Sequence, residues 1–182
     1  MKIACLGWGS LVWNPGELPH RSQWHPDGPQ VRVEFVRQSG GEHGRITLVI
    51  LSSAEQVASL WAEMNCADAT AGKEALRIRE GKPHRHHIGL WESGNPDPRS
   101  LPGLTEWAAA RDIDAVVWTD LPPKFQGEDG RVPTIEEVVA YLDALPDEAK
   151  AAAIEYIQRA PTQIDTAYRR EIARAIPETA AG

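Results

Sequence analysis

Cysteine is nearly missing from the sequence: the two present, Cys5 and Cys66, make neither a disulfide framework nor a Cys-x-x-Cys site. A single bridge between them stays open at this level. There is no Asn-x-Ser/Thr glycosylation acceptor, and no run comes near the ~18 apolar residues of a membrane span. The apolar run near the start, residues 3–7, is too short for the core of a signal peptide. These absences predict a reduced, soluble, cytoplasmic protein with no membrane partner. Basic charge is also in deficit: 19 Lys+Arg against 26 Asp+Glu leave a net charge of −7. The acidic excess is spread along the chain and no basic stripe survives it, so nucleic acid is excluded as an expected partner. Internal repeats and low-complexity tracts are lacking too.

What remains is ordinary globular balance over 182 residues, 42% of them hydrophobic and 25% charged. That length suits one domain over residues 1–182, able to hide roughly 70% of its unfolded surface without staples. Residues 2–6 form a short apolar run stopped by Gly7, the pattern of a buried strand. Residues 13–30, rich in proline and glycine, read as a long irregular loop. Val31, Val33 and Phe35 alternate with Arg32, Glu34 and Val36, the strand period of two. Residues 46–51 make a second strand, paired with the first across a turn marked by Gly40, Gly41 and Gly44. Ser53 can cap a helix over residues 54–64, with Val57, Leu60, Trp61 and Met64 on one face. A second short helix, about residues 71–80, stops at Gly81. Strands are expected over residues 84–91 and 114–118, with a proline- and glycine-rich loop and a short helix between them.

Beyond residue 134 the pattern is helical. Thr134 and Glu137 form a capping box, Asp147 opens a helix that Pro161 halts, and a last helix covers about residues 165–176. Strands first and helices last predict an α+β domain with a curved, mostly antiparallel sheet. Residues 134–182 form its helical C-terminal extension.

Gly7 and Gly9 follow a strand, yet a dinucleotide-binding G-x-G-x-x-G would need glycine where Val12 stands, and a helix where Asn14-Pro15-Gly16 stands. The better reading is a sharp turn at Gly9-Ser10 whose backbone N–H groups form a small anion nest. Gly9 then lets a ligand approach and takes unusual backbone angles. His84, Arg85, His86 and His87 draw the eye, but as a strand they put His84 and His86 on one face and His87 on the other. Two imidazoles are at most half a zinc site; His20 or His25 could complete it in space, but nothing in the sequence indicates that. Ser10 lacks the G-x-S-x-G elbow, and Cys5 sits in an apolar strand where a thiol is inert packing. The seven tryptophans fill the core, with Trp8 and Trp13 beside the turn where they can line a pocket. Glu80 ends a helix just before Gly81. The dipole disfavours a carboxylate there unless Arg77 or Lys82 compensates, and a carboxyl group poised that way is a useful proton shuttle.

The two features occur together in one family. CLGWGSLVWNPG resembles the opening of γ-glutamylcyclotransferase-like proteins, in particular the ChaC branch, where a strand leads into a (Y/F)GSL(I/V)W-type turn. ALRIREGKPHR resembles the segment where an Arg-Glu pair near a helix end precedes a glycine and a new strand. EFVRQSGGEHGRITLVI resembles the Arg- and Gly-containing hairpin between them, so the likeness covers about residues 3–91. The pattern departs at Trp8, where the family has tyrosine, and at residues 54–64, which read as helix where the family has a strand. The tail after about residue 134 is only weakly similar.

The resemblance implies a small mixed, mostly antiparallel β-barrel flanked by helices, with a helical C-terminal tail. It implies a lyase that closes a γ-glutamyl group of a small peptide or amine, glutathione among them, to 5-oxoproline. Substrate would be held by the turn backbone at Trp8, Gly9, Ser10 and Leu11, with Glu80 as the acid/base. Neither metal nor other cofactor enters this chemistry. Two other classes stay open: a non-catalytic pocket for a γ-glutamyl or related amino-acid ligand, and a metal-dependent hydrolase using the histidines. The leaving group and the oligomeric state are not legible.

Overall fold

The computed structural model describes residues 1–40, 43–81 and 84–176; Gly41 of the expected turn and Lys82 fall outside them, as does the end of the C-terminal extension. The first strand, β1 (Ile3–Gly7), is buried along its whole length. It pairs on both sides, as a strand covered on two faces must to satisfy its backbone. Its neighbours are residues 60–63 in antiparallel register and residues 115–117 in parallel register. The hairpin follows as β2 (Gln30–Gln38) and β3 (Ile46–Ile50), antiparallel with a register shift between Phe35 and Arg37.

The segment 54–64 departs from expectation. It forms β4 (Gln56–Ala58), paired with β2, and β5 (Leu60–Glu63), paired with β1. Ser59 is the bend between them, its hydroxyl donating to the Pro29 carbonyl at 2.7 Å. The outer edge of β5 is occupied by the irregular loop, through backbone bonds between His25 and Trp61 in both directions and from Arg21 to Glu63. Apolar residues at helical spacing also fit a strand whose two-residue alternation restarts at a bend. Here pairing on both edges overrides local propensity.

Helix α1 (Ala69–Arg79) is capped by Asp68, whose carboxylate accepts from the Ala71 N–H at 2.8 Å. It seats Gly72 against Ile3 and Met64 and buries Leu76 completely. Residues 85–87 form a 3-10 turn, not a strand, because the chain must reverse from α1 into β6 (Ile88–Glu92). Then come α2 (Leu104–Ala109), β7 (Ala115–Thr119) and the short strands β8 (Lys124–Phe125) and β9 (Glu128–Asp129). One sheet runs β5-β1-β7-β6; the other runs β3-β2-β8-β9, with β4 also on β2. The bent segment 56–63 belongs to both sheets, and the result is a mixed, mostly antiparallel, curled half-barrel flanked by helices.

The tail forms α3 (Ile135–Asp143) with its Thr134–Glu137 capping box, α4 (Asp147–Arg159) and α5 (Ala167–Ala175). Arg169 of α5 donates to the carbonyls of Gln158, Ala160, Pro161 and Ile164, satisfying groups that the end of α4 leaves open. No described helix is long and apolar enough to cross a membrane.

Glu34 of β2 points inward, 3% exposed, and accepts from the Thr166 hydroxyl and the N–H groups of Phe35 and Tyr168. It thereby joins the sheet to the start of α5. Burial pushes its carboxyl above the usual range, against the pull of those hydrogen bonds. A carboxyl with a raised folded value adds stability at acid pH that is lost as pH rises through that value. Between about pH 4 and pH 7 the parent should therefore lose thermal stability relative to Glu34→Gln. A difference in melting temperature that does not change with pH would contradict this.

Candidate active site

Beyond Gly7 the chain turns at once: the Val12 N–H donates to the Gly9 carbonyl at 2.9 Å, and the Asn14 N–H to the Ser10 carbonyl at 2.8 Å. The side chains of Trp8 and Leu11 go into the interior, which fixes the turn and leaves its backbone to line a hollow. Among the described residues no backbone carbonyl accepts from the N–H of Gly9, Ser10 or Leu11. The Ser10 backbone is hydrogen-bonded to the Tyr156 hydroxyl, while Gly9 and Leu11 are buried, so their N–H groups are the kind that a bound acceptor satisfies. Gly9 is not among the residues with positive φ. Space is tight: a Cβ there would sit 3.1 Å from the Tyr156 hydroxyl oxygen.

Glu80 arrives from the other side. It caps α1, its N–H bonded to the Leu76 carbonyl at 2.9 Å, and Gly81 follows at φ +61, the left-handed stop that glycine permits. Its carboxylate pairs with Arg79, while Arg77 is turned to Glu74 at 2.6 and 2.9 Å. Arg79 is thus the arginine that pairs with the carboxylate at the helix end. Glu80 and all four residues Trp8, Gly9, Ser10 and Leu11 line one cavity of about 210 Å³. The structure thus brings together every residue singled out for the site.

The remaining wall was not identified from the sequence. Arg37, Arg45 and Thr47 come from the β2–β3 hairpin, and Tyr156 comes from α4. Arg37 is committed elsewhere, donating to the Pro122 carbonyl at 2.6 Å and pairing with Asp129 at 3.4 Å. Arg45 lies over the Tyr156 ring, 5.3 Å from its centroid, and pairs with no carboxylate among the described residues. Burial raises the Tyr156 phenol above its ordinary value, and the charge on Glu80 adds to the rise. Ser10 and Arg45 pull the other way without reversing it, so the hydroxyl stays neutral at the turn. Trp13 stands behind this tyrosine, rings edge to face at 5.4 Å. A tyrosine on the apolar face of a helix needs a polar partner for its hydroxyl, and that was the one signal available for Tyr156.

The other residues that drew attention in the sequence lie away from this cavity. Cys5 and Cys66 are both free thiols, and burial raises the pKa of each, Cys5 the more strongly. His84 and His86 stack and His87 meets both edge to face, ring centroids 4.2 to 5.7 Å apart, outside the cavity. They precede β6 at one edge of the sheet, whereas His20 and His25 lie along β5 at the other. Among the described residues no group of three or more metal-ligating side chains is placed to hold an ion.

No family model matches the chain, and no curated protein matches it. Among solved structures, a γ-glutamyl cyclotransferase specific to glutathione from yeast aligns with it at a TM-score of 0.51 and 13% identity. The alignment covers 97% of this chain and 98% of that one. At that identity the likeness shows a shared fold.

The contact at Gly9 is testable by a double-mutant cycle. Gly9→Ala should destabilise the protein by about 1 kcal/mol, the lower range for overpacking, and Tyr156→Phe in the same chain should recover most of it. Additive changes in chemical denaturation would show that the two groups do not meet.

Proposed function

We propose that the protein is a γ-glutamyl cyclotransferase, of the ChaC-like kind that its turn resembles. The observation that carries this reading is the single cavity lined by both the turn backbone and Glu80. In a γ-glutamyl compound the α-amine and the γ-carbonyl belong to one molecule. Holding the folded conformer supplies much of the rate. The backbone at Trp8, Gly9, Ser10 and Leu11 holds the γ-glutamyl group and offers N–H groups to the oxyanion that develops. Glu80 takes one proton as the α-nitrogen attacks and returns it to the departing nitrogen, worth about 10²–10⁴-fold. One C–N bond forms and one breaks, giving 5-oxoproline and a free amine. The balance needs no oxidant, metal or covalent enzyme intermediate.

Tyr156, kept as a neutral hydroxyl beside Ser10, serves this site as a donor. Arg45 favours substrates whose leaving amine carries a carboxylate, as γ-glutamyl amino acids and peptides do, over simple γ-glutamyl amines. Glutathione is the first such compound to assay, being the one named for the yeast protein of the same fold.

A panel of γ-glutamyl compounds, read by release of 5-oxoproline, tests the activity directly. Glu80→Gln keeps size and hydrogen-bonding atoms but removes the titratable group. It should lower kcat by about 10²-fold or more with little change in ligand affinity. The absence of 5-oxoproline from every compound would refute the reading, and so would an unaltered kcat in the variant. Binding without turnover would instead favour a non-catalytic pocket.

A further inference from the structure

We propose that Arg79 is a positioning residue whose guanidinium locks the Glu80 carboxylate to the turn; the inference rests on the cyclotransferase reading of this site. One arm, Nη1, donates to Glu80 Oε1, and the other, Nη2, donates to the Asn14 carbonyl. The Asn14 N–H donates in turn to the Ser10 carbonyl at 2.8 Å. A continuous path of hydrogen bonds therefore runs from the carboxylate, through Arg79, to the turn that faces it across the cavity.

This is not a screened surface pair. The side chains of Arg79 and Glu80 are 12% and 16% exposed, so water competes weakly for either. The planar fork of arginine offers two donors in fixed relation, which the single ammonium of lysine does not. Glu80 ends its helix, where the dipole disfavours negative charge, and the guanidinium offsets that. The pairing also distinguishes the two oxygens: Oε1 accepts from Arg79, while Oε2 has no partner among the described residues. Oε2 is thereby assigned as the oxygen that carries the proton. Without Arg79 both the angle of the carboxylate and its distance from the turn are released, and errors of this size are costly in catalysis.

The test uses the full chain with Arg79→Ala, Arg79→Lys, Glu80→Gln and the Arg79→Ala/Glu80→Gln pair. Arg79→Ala should lower kcat about tenfold or more. The double variant should be no slower than Glu80→Gln alone, since Arg79 acts through Glu80. Added guanidinium ion should restore part of the kcat of Arg79→Ala and none of that of Glu80→Gln. Arg79→Lys, which keeps the charge and loses the fork, should fall between parent and Arg79→Ala. Amide hydrogen exchange at residues 10–14 should accelerate in both Arg79 variants and stay unchanged in Glu80→Gln. Parent-like kcat in Arg79→Ala beside a slow Glu80→Gln would overturn the lock while leaving the cyclotransferase reading intact. A parent that releases no 5-oxoproline would end that reading instead. The lock between helix end and turn is then decided by exchange alone, accelerated exchange supporting it and unchanged exchange overturning it.

Discussion

The pairing of β1 on both its edges is the constraint from which the rest follows. With β7 parallel on one side and β5 antiparallel on the other, a strand buried from Ile3 to Gly7 has no freedom of register. A one-residue slip would turn every inward side chain outward. Its end is therefore delivered to one place, and the next residues, Trp8 and Leu11, are pinned there by their own burial. The same sheet carries α1, whose packing of Gly72 against Ile3 fixes where the helix stops and where Glu80 stands. Turn and carboxylate, distant in sequence, are held by two elements that share one strand as their support.

Three further segments close the site. The β2–β3 hairpin contributes Arg45, α4 contributes Tyr156, and the Arg79 side chain spans from the helix end to Asn14. Tyr156 is held at the turn because the C-terminal end of α4, next to it, is anchored where Arg169 gathers four carbonyls, and because Glu34 ties α5 back to the sheet. The result is a small cavity lined by the turn backbone, by Glu80 and by Arg45, whose guanidinium lies over the Tyr156 ring. That arrangement suits a ligand carrying carboxylate and amine together, in a protein whose net charge of −7 would otherwise repel an anion.

How much of this was legible in the sequence depended on whether the signal was local. The strand before the turn, the hairpin, the Thr134 capping box and the left-handed stop at Gly81 are written in neighbouring residues, and the structure has each of them. Segment 54–64 was misread because Val57, Leu60, Trp61 and Met64 satisfy helical spacing. What makes it a bent strand is pairing with β1, β2 and the 20–29 loop, none of which is local. The histidines were misread as a strand because the reversal after α1 leaves no mark on their alternation. Arg45 and Tyr156 carry no motif at all; they become site residues only when the hairpin and α4 are packed beside the turn.

The central claim is that the amides of the turn and the carboxylate of Glu80 act on one ligand. Amide chemical shifts of isotopically labelled protein carrying Glu80→Gln, titrated with glutathione, test it most directly, because the variant holds the ligand without consuming it. The account predicts saturable shifts concentrated at Gly9, Ser10, Leu11 and residue 80. Shifts that cluster elsewhere, or a turn that does not respond to the ligand, would contradict it.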